Sequence, residues 1–199
     1  MKRQIIVIHG GDTFNTQGEY LSFLKNFEIN FERLKQKSWK ETLAENLGPD
    51  YEVVQPKMPN SINARYSEWT IWFEKMIPFF DKEIILVGHS LGGIFIAKYL
   101  SENQFPKKIL STFLISAPYD DKDSGESLVD FELKNDLGNL QKQGGNIILY
   151  HSEDDRIVPF ADLEKYRKLL PNAEVKIFKN RGHFQQEEFP ELIEDITAI

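Results

Sequence analysis

Apolar positions along the chain follow two rhythms. Short runs rich in β-branched residues recur at Gln4–His9, Tyr51–Pro56, Glu83–Gly88, Ile109–Ser116, Asn146–His151 and Ala173–Phe178. Runs that stay apolar without alternation suit strands buried on both faces. Longer stretches with helical spacing lie between them: Ser38–Gly48, Ser67–Phe80, Gly92–Gln104, Phe160–Pro171 and, closing the chain, Gln186–Ile199. Ser38 offers an N-cap and Gly48-Pro49 a stop. Trp69 and Trp72, three apart, are expected to share a helix face.

Strands alternating with helices predict βαβ units. The fold class is therefore α/β, a mostly parallel sheet of about six strands with helices on both faces. Ligands in such sheets bind beyond the carboxyl ends of the strands. Gly10-Gly11, Ser90, Asp154-Asp155 and His183 each fall just after a predicted strand, so the topology gathers them on one sheet edge. Two segments break the alternation. Asp12–Lys37 carries an apolar stripe of Tyr20, Leu21, Phe23, Leu24, Phe27 and Phe31. Tyr119–Gly145 starts as a charged, loop-like run with a weak helix later. No repeat, linker or second domain is visible, so residues 1–199 read as a single domain with an irregular insertion at 12–37.

Composition narrows the function. The chain has 199 residues, 24 basic and 31 acidic, for a net charge of −7, and lacks the basic footprint of a nucleic-acid binder. It has no cysteine, which excludes disulfides, a thiol nucleophile and a thiolate metal site. The apolar run after Lys2-Arg3 is shorter than the ~7–15 residues of a signal peptide. No run approaches the ~18–20 residues of a membrane span. The expectation is a soluble, cytoplasmic protein with no membrane span. Asp120–Glu126 has some acids of a calcium loop but lacks its glutamate and the acid before its glycine, so it reads as an exposed loop and no metal is expected.

The candidate chemistry centres on Gly88-His89-Ser90-Leu91-Gly92. This fits G-x-S-x-G between a predicted strand and a predicted helix, the setting a nucleophile elbow requires. A tight turn would project the Ser90 hydroxyl, and glycines on either side avoid clashes. The bland alternative is a strand-to-helix turn with a chance serine. A serine needs a base. His9 and His151 end strands, and His89 is expected to point away from Ser90. His183, in a late loop on the correct sheet edge, is the candidate base. Glu153, Asp154 and Asp155 follow a strand as candidate acids, and spacing does not choose between the two aspartates. An oxyanion needs two N–H donors. Leu91 supplies one by the elbow geometry, and the glycine pair after the first strand offers the other, Gly11 first and Asp12 next.

The order Ser, Asp, His is that of α/β-hydrolases. More narrowly, the sequence resembles the small serine hydrolases typified by retinoblastoma-binding protein 9 and its bacterial relatives. Met58–Trp69, Ile84–Gly93, His151–Phe160 and Arg181–Leu192 carry the resemblance. It implies that the acid is Asp155, of the D-x-x-V-P pattern, and that the base is His183, of G-H-F. It also implies a minimal α/β-hydrolase fold without a large cap domain. Trp39 stands where the family has a helix tryptophan, but the Asp12–Lys37 segment intervenes. Two roles suit that segment, a flap beside the site or an extra helix packed on the sheet edge.

The expected activity is hydrolysis of a carboxylic ester, thioester or related acyl bond by Ser90, Asp155 and His183, with Gly11 and Leu91 as oxyanion donors. No cofactor is expected, and the partner is a small-molecule acyl substrate. The rivals are a non-catalytic protein-binding module on the same scaffold, or C–C hydrolysis or haloperoxidation by the same residues. No residue announces the substrate.

Overall fold

A computed structural model describes residues 2–122, 127–134 and 136–199. Six strands form one sheet: β1 (Arg3–Ile8), β2 (Tyr51–Val54), β3 (Glu83–His89), β4 (Lys108–Ile115), β5 (Asn146–Ser152) and β6 (Glu174–Phe178). Their spatial order is β2-β1-β3-β4-β5-β6 and every pairing is parallel. The expected sheet is therefore present, with strand ends moved by a residue or two. The last two residues of the second apolar run, Gln55 and Pro56, leave the ladder, as proline has no N–H to give it.

The continuous apolar runs are explained by the two-residue period of a strand. Ile5, Val7, Ile85, Val87, Phe113 and Ile115 join one core, while Ile6, Ile8, Ile84, Leu86 and Leu114 join the other. The first face is covered by α2 (Trp39–Leu47) and α7 (Pro190–Thr197), through Trp39, Leu43, Leu192 and Ile196. The second is covered by α3 (Tyr66–Met76), α4 (Leu91–Glu102), α5 (Gly138–Gln143) and α6 (Phe160–Leu169). Helix α4 is buried nearly all round, as its position between sheet and neighbouring helices demands.

Some expectations need correction. Helix α7 starts at Pro190 rather than Gln186, because the residue before a proline is pushed toward extended backbone. The freed segment accepts hydrogen bonds instead: Gln186 C=O from Trp39 N–H at 2.8 Å and Glu187 C=O from the Thr42 hydroxyl at 2.8 Å. Trp69 is buried with Phe73, but Trp72 is exposed. Three residues advance a helix by ~300°, so Trp72 falls beyond the edge of the buried stripe. Residues 119–145 are not a surface loop throughout, since Tyr119, Leu128, Phe131, Leu137 and Leu140 enter the α4-side core. Asp120 is buried, with Lys165 Nζ at 2.8 Å, and residues 123–126 of the acidic run lie outside the described residues.

The Asp12–Lys37 segment contains α1 (Gln17–Asn26). The Thr16 hydroxyl accepts from Glu19 N–H at 3.1 Å, and the Glu19 carboxylate accepts from Thr16 N–H at 3.2 Å, a capping box. No residue of α1 is buried. Its ring contacts are local, Phe14 against Tyr20 at 5.6 Å and Phe23 at 5.0 Å. Tyr20, Leu21, Phe23 and Leu24 of the stripe are helical as expected, Phe27 and Phe31 lie beyond the helix, and α1 is not packed on the sheet edge. Among the described residues, no helix is long and apolar enough to cross a membrane.

Candidate active site

Strand β3 ends at His89 and α4 begins at Leu91, so Ser90 alone makes the turn. Its φ of 56° and ψ of −124° are rare for a residue with a side chain. Such backbone persists only where the surroundings over-determine it, at a cost of ~1–3 kcal/mol. Ser90 N–H donates to Ile115 C=O at 2.9 Å, and Ser90 C=O accepts from Gly93 N–H at 2.8 Å. The glycines permit close approach rather than unusual φ. A Cβ on Gly88 would lie 2.6 Å from Gly92 O, and one on Gly92 would lie 2.2 Å from Ile8 O.

The two aspartates after β5 divide the work. Asp154 Oδ1 accepts from Gly182 N–H at 2.9 Å and pins the late loop. Asp155 Oδ2 lies 2.9 Å from His183 Nδ1, with the aspartate side chain fully buried and that of the histidine 8% exposed. Asp155 Oδ1 accepts from Ile157 and Val158 N–H at 2.9 and 3.1 Å. Burial alone would raise the Asp155 pKa. The hydrogen bond and charge of His183, with the Ile157 N–H, outweigh it and hold the carboxyl below its usual value. His183 Nδ1–H is thus donated to the acid, which leaves Nε2 for another partner.

Ser90 and His183 line one cavity of about 450 Å³, together with Gly11 and Leu91. The Ser90 hydroxyl has no hydrogen-bond partner among the described residues. Asp12 N–H donates to Ser61 C=O at 2.8 Å, which removes it as an alternative donor. The Gly11 and Leu91 N–H groups have no partner among the described residues. A Cβ on Gly11 would sit 2.4 Å from Ser61 O, so glycine is needed for this close approach. An adjoining hollow of about 490 Å³ beside α1 shares Asp12, Thr13 and Ser127 with the cavity. A larger hollow, about 780 Å³, opens at the amino ends of β5 and β6, beside Asn146 and Glu174, away from these groups.

Two neighbours were missed in the sequence. His89 does not simply turn away. Its ring packs 4.8 Å from the His183 ring, and its Nε2 lies 2.8 Å from the His183 carbonyl oxygen. Burial, then Lys40 and His183, push the His89 pKa well down, so the ring is neutral and donates Nε2–H to that carbonyl. Lys40 Nζ lies 3.4 Å from His89 Nδ1 and 4.8 Å from the Trp39 ring centre. Burial lowers its pKa to about 8, with Glu41 opposing. Period-two alternation places His89 on the face of Ile85 and Val87, which α2 covers, and that signal was available. Nothing in the sequence marks Lys40. The other histidines are engaged by backbone. His9 Nδ1 meets Gly10 C=O at 2.6 Å and His9 Nε2 accepts from Met58 N–H at 2.9 Å, while buried His151 meets Val158 C=O at 3.1 Å. Trp39 is a core residue whose indole N–H donates to Phe184 C=O at 2.9 Å.

Comparison with known proteins places this geometry in context. One family model, described as Serine hydrolase, matches residues 31–194. The curated serine hydrolase RBBP9 of Rattus norvegicus is 28% identical over 151 residues, covering 76% of this chain and 79% of its own. Among solved structures, the ydeN gene product of B. subtilis superposes with a TM-score of 0.70 at 19% identity, covering 99% of this chain and 98% of its own. The meta-cleavage product hydrolase CumD from Pseudomonas fluorescens IP01 gives a TM-score of 0.68 at 14% identity, with 98% and 89% covered. The structural likenesses establish the α/β-hydrolase fold.

Proposed function

Because the chain belongs to the serine hydrolase family, we propose that it cleaves a carboxylic ester, thioester or related acyl bond through an acyl-enzyme on Ser90. One observation carries this reading. A serine in a strained strand-to-helix turn opens into the same cavity as a histidine already hydrogen-bonded to a buried aspartate. A prepaid triad of this kind also favours catalysis over a non-catalytic binding module.

In the proposed reaction His183 Nε2 takes the proton from Ser90 Oγ as the oxygen attacks the carbonyl carbon. Asp155 holds the imidazole in the correct tautomer and stabilises the imidazolium. The carbonyl oxygen becomes an oxyanion facing the Leu91 and Gly11 N–H groups, with the amino end of α4 adding a favourable dipole. Collapse breaks the bond to the leaving group, which receives the proton from His183. Water then adds to the acyl-enzyme, again losing its proton to His183, and the acid leaves with Ser90 restored. No step calls for a cofactor.

A panel of ester, thioester and C–C substrates tests the bond type. A burst of alcohol or thiol equal to the enzyme concentration, lost in Ser90→Ala, is the expected result. Turnover confined to the C–C substrates would replace the acyl-ester reading.

A further inference from the structure

Lys40 is an unusual group to find at this site. Its side chain is half-buried, yet among the described residues no carboxylate lies within 4.0 Å of its ammonium. Lysine offers three donors. One meets His89 Nδ1 at a long 3.4 Å, the Trp39 ring lies 4.8 Å away, and the other two donors have no hydrogen-bond acceptor among the described residues. A half-dry cation normally finds an acid, because desolvation of an unpaired charge is costly.

The nearby charges do not supply one. The adjacent Glu41 carboxylate is turned to the start of α2, where it accepts from Ser38 N–H at 2.7 Å. Asp155 is committed to His183. Asp12 is exposed. His9 and His89 are engaged with backbone groups on the same cavity wall. Lys40 itself lines the cavity that holds Ser90, one imidazole ring away from His183.

Building on the serine-hydrolase reading, we infer that Lys40 is a specificity residue that pairs with a carboxylate on the substrate, so that the enzyme prefers half-esters of short dicarboxylic acids over neutral esters of the same length. The anion supplies the acid that the fold omits. A low-dielectric setting makes one such pair selective, since a neutral substrate leaves the ammonium unpaired. The lowered pKa of Lys40 gives the preference a pH signature: it declines as pH rises through about 8 and the amine loses its proton.

The test compares phenyl hemisuccinate with phenyl butyrate, which differ by a carboxylate in place of a methyl group. The quantity read is the ratio of their kcat/KM values in wild type, Lys40→Met and Lys40→Arg. The expected ratio falls at least tenfold in Lys40→Met, mainly through KM for the hemisuccinate, and is largely kept in Lys40→Arg. A merely structural Lys40 lowers both substrates together, and an unchanged ratio overturns the inference. Calorimetry with succinate gives a second reading that needs no turnover. Binding that weakens about tenfold in Lys40→Met supports the anion site even if neither ester is cleaved, in which case the acyl-transfer reading alone falls. Equal binding to both proteins, or none to wild type, overturns the anion site.

Discussion

Ser90 and Phe27 stand at opposite limits of how firmly this chain holds its residues. Ser90 sits in strained backbone fixed by β4, by the first turn of α4 and by glycines that let three backbone segments touch. Phe27, at the end of α1, is 58% exposed and touches Phe23. Ser90 lines one cavity and α1 borders an adjoining hollow that shares Asp12, Thr13 and Ser127 with it. The proposed reactive geometry is built into the sheet, while α1 nearby rests on a helix cap and a few rings. Chemistry and selectivity are thereby separable. Changes at the elbow should damage reaction, and folding too where they crowd its backbone, and changes in α1 should alter which substrate fits.

The largest expected effect breaks the elbow chemically. Ser90→Ala should reduce turnover by roughly 10⁶, as triad loss does in a comparable enzyme. Circular dichroism should show the fold kept.

Next is Gly92→Ala, which breaks the elbow sterically. The added Cβ would approach Ile8 O to 2.2 Å, so backbone must move. A loss of about 1–3 kcal/mol is expected from overpacking. Denaturant melts measure the stability loss, and hydrolase activity should fall with it.

Lys40 sharpens the contrast by costing stability at the rigid end. Its folded pKa of about 8 lies below the ordinary 10.5. Between those values the unfolded chain holds a proton that the folded chain lacks, so stability should rise with pH across this window. The full difference corresponds to about 3 kcal/mol. Loss of the His89 Nδ1 partner offsets part of it in Lys40→Met, which should still be more stable than wild type at pH 7 by on the order of 1 kcal/mol. Melts from pH 7 to 10.5 check the slope.

The smallest effect lies in α1. Leu24→Ser, at a position 43% exposed, should move stability by no more than about 0.5 kcal/mol. Deletion of residues 17–31 should change the ratio of long- to short-chain ester turnover. An unchanged profile would remove the flap reading of this segment.

Much of this was legible in the sequence, for physical reasons that can be named. Strands buried on both faces write themselves as unbroken apolar runs, so all six were found. G-x-S-x-G is legible because close backbone approach admits only glycine at Gly88 and Gly92. The Asp154–Asp155 choice was not legible from spacing, since both follow β5 and only the fold shows one reaching Gly182 and the other His183. Lys40 and His89 were missed because their meeting depends on α2 docking against β3, a contact spanning 49 residues. Residues 119–145 were misread because charges at the start of the segment mask the spaced Leu128, Phe131, Leu137 and Leu140. The role of α1 stays hidden for the opposite reason: its apolar pattern predicts burial, and none of its residues is buried.

The proposed mechanism requires Ser90 to be an activated nucleophile. A fluorophosphonate that phosphorylates activated serines tests it most directly, with the adduct located by peptide mass spectrometry. One adduct per folded chain is expected, on Ser90, lost in Ser90→Ala and strongly slowed in His183→Ala. Folded wild-type protein that carries no adduct on Ser90 would contradict the mechanism.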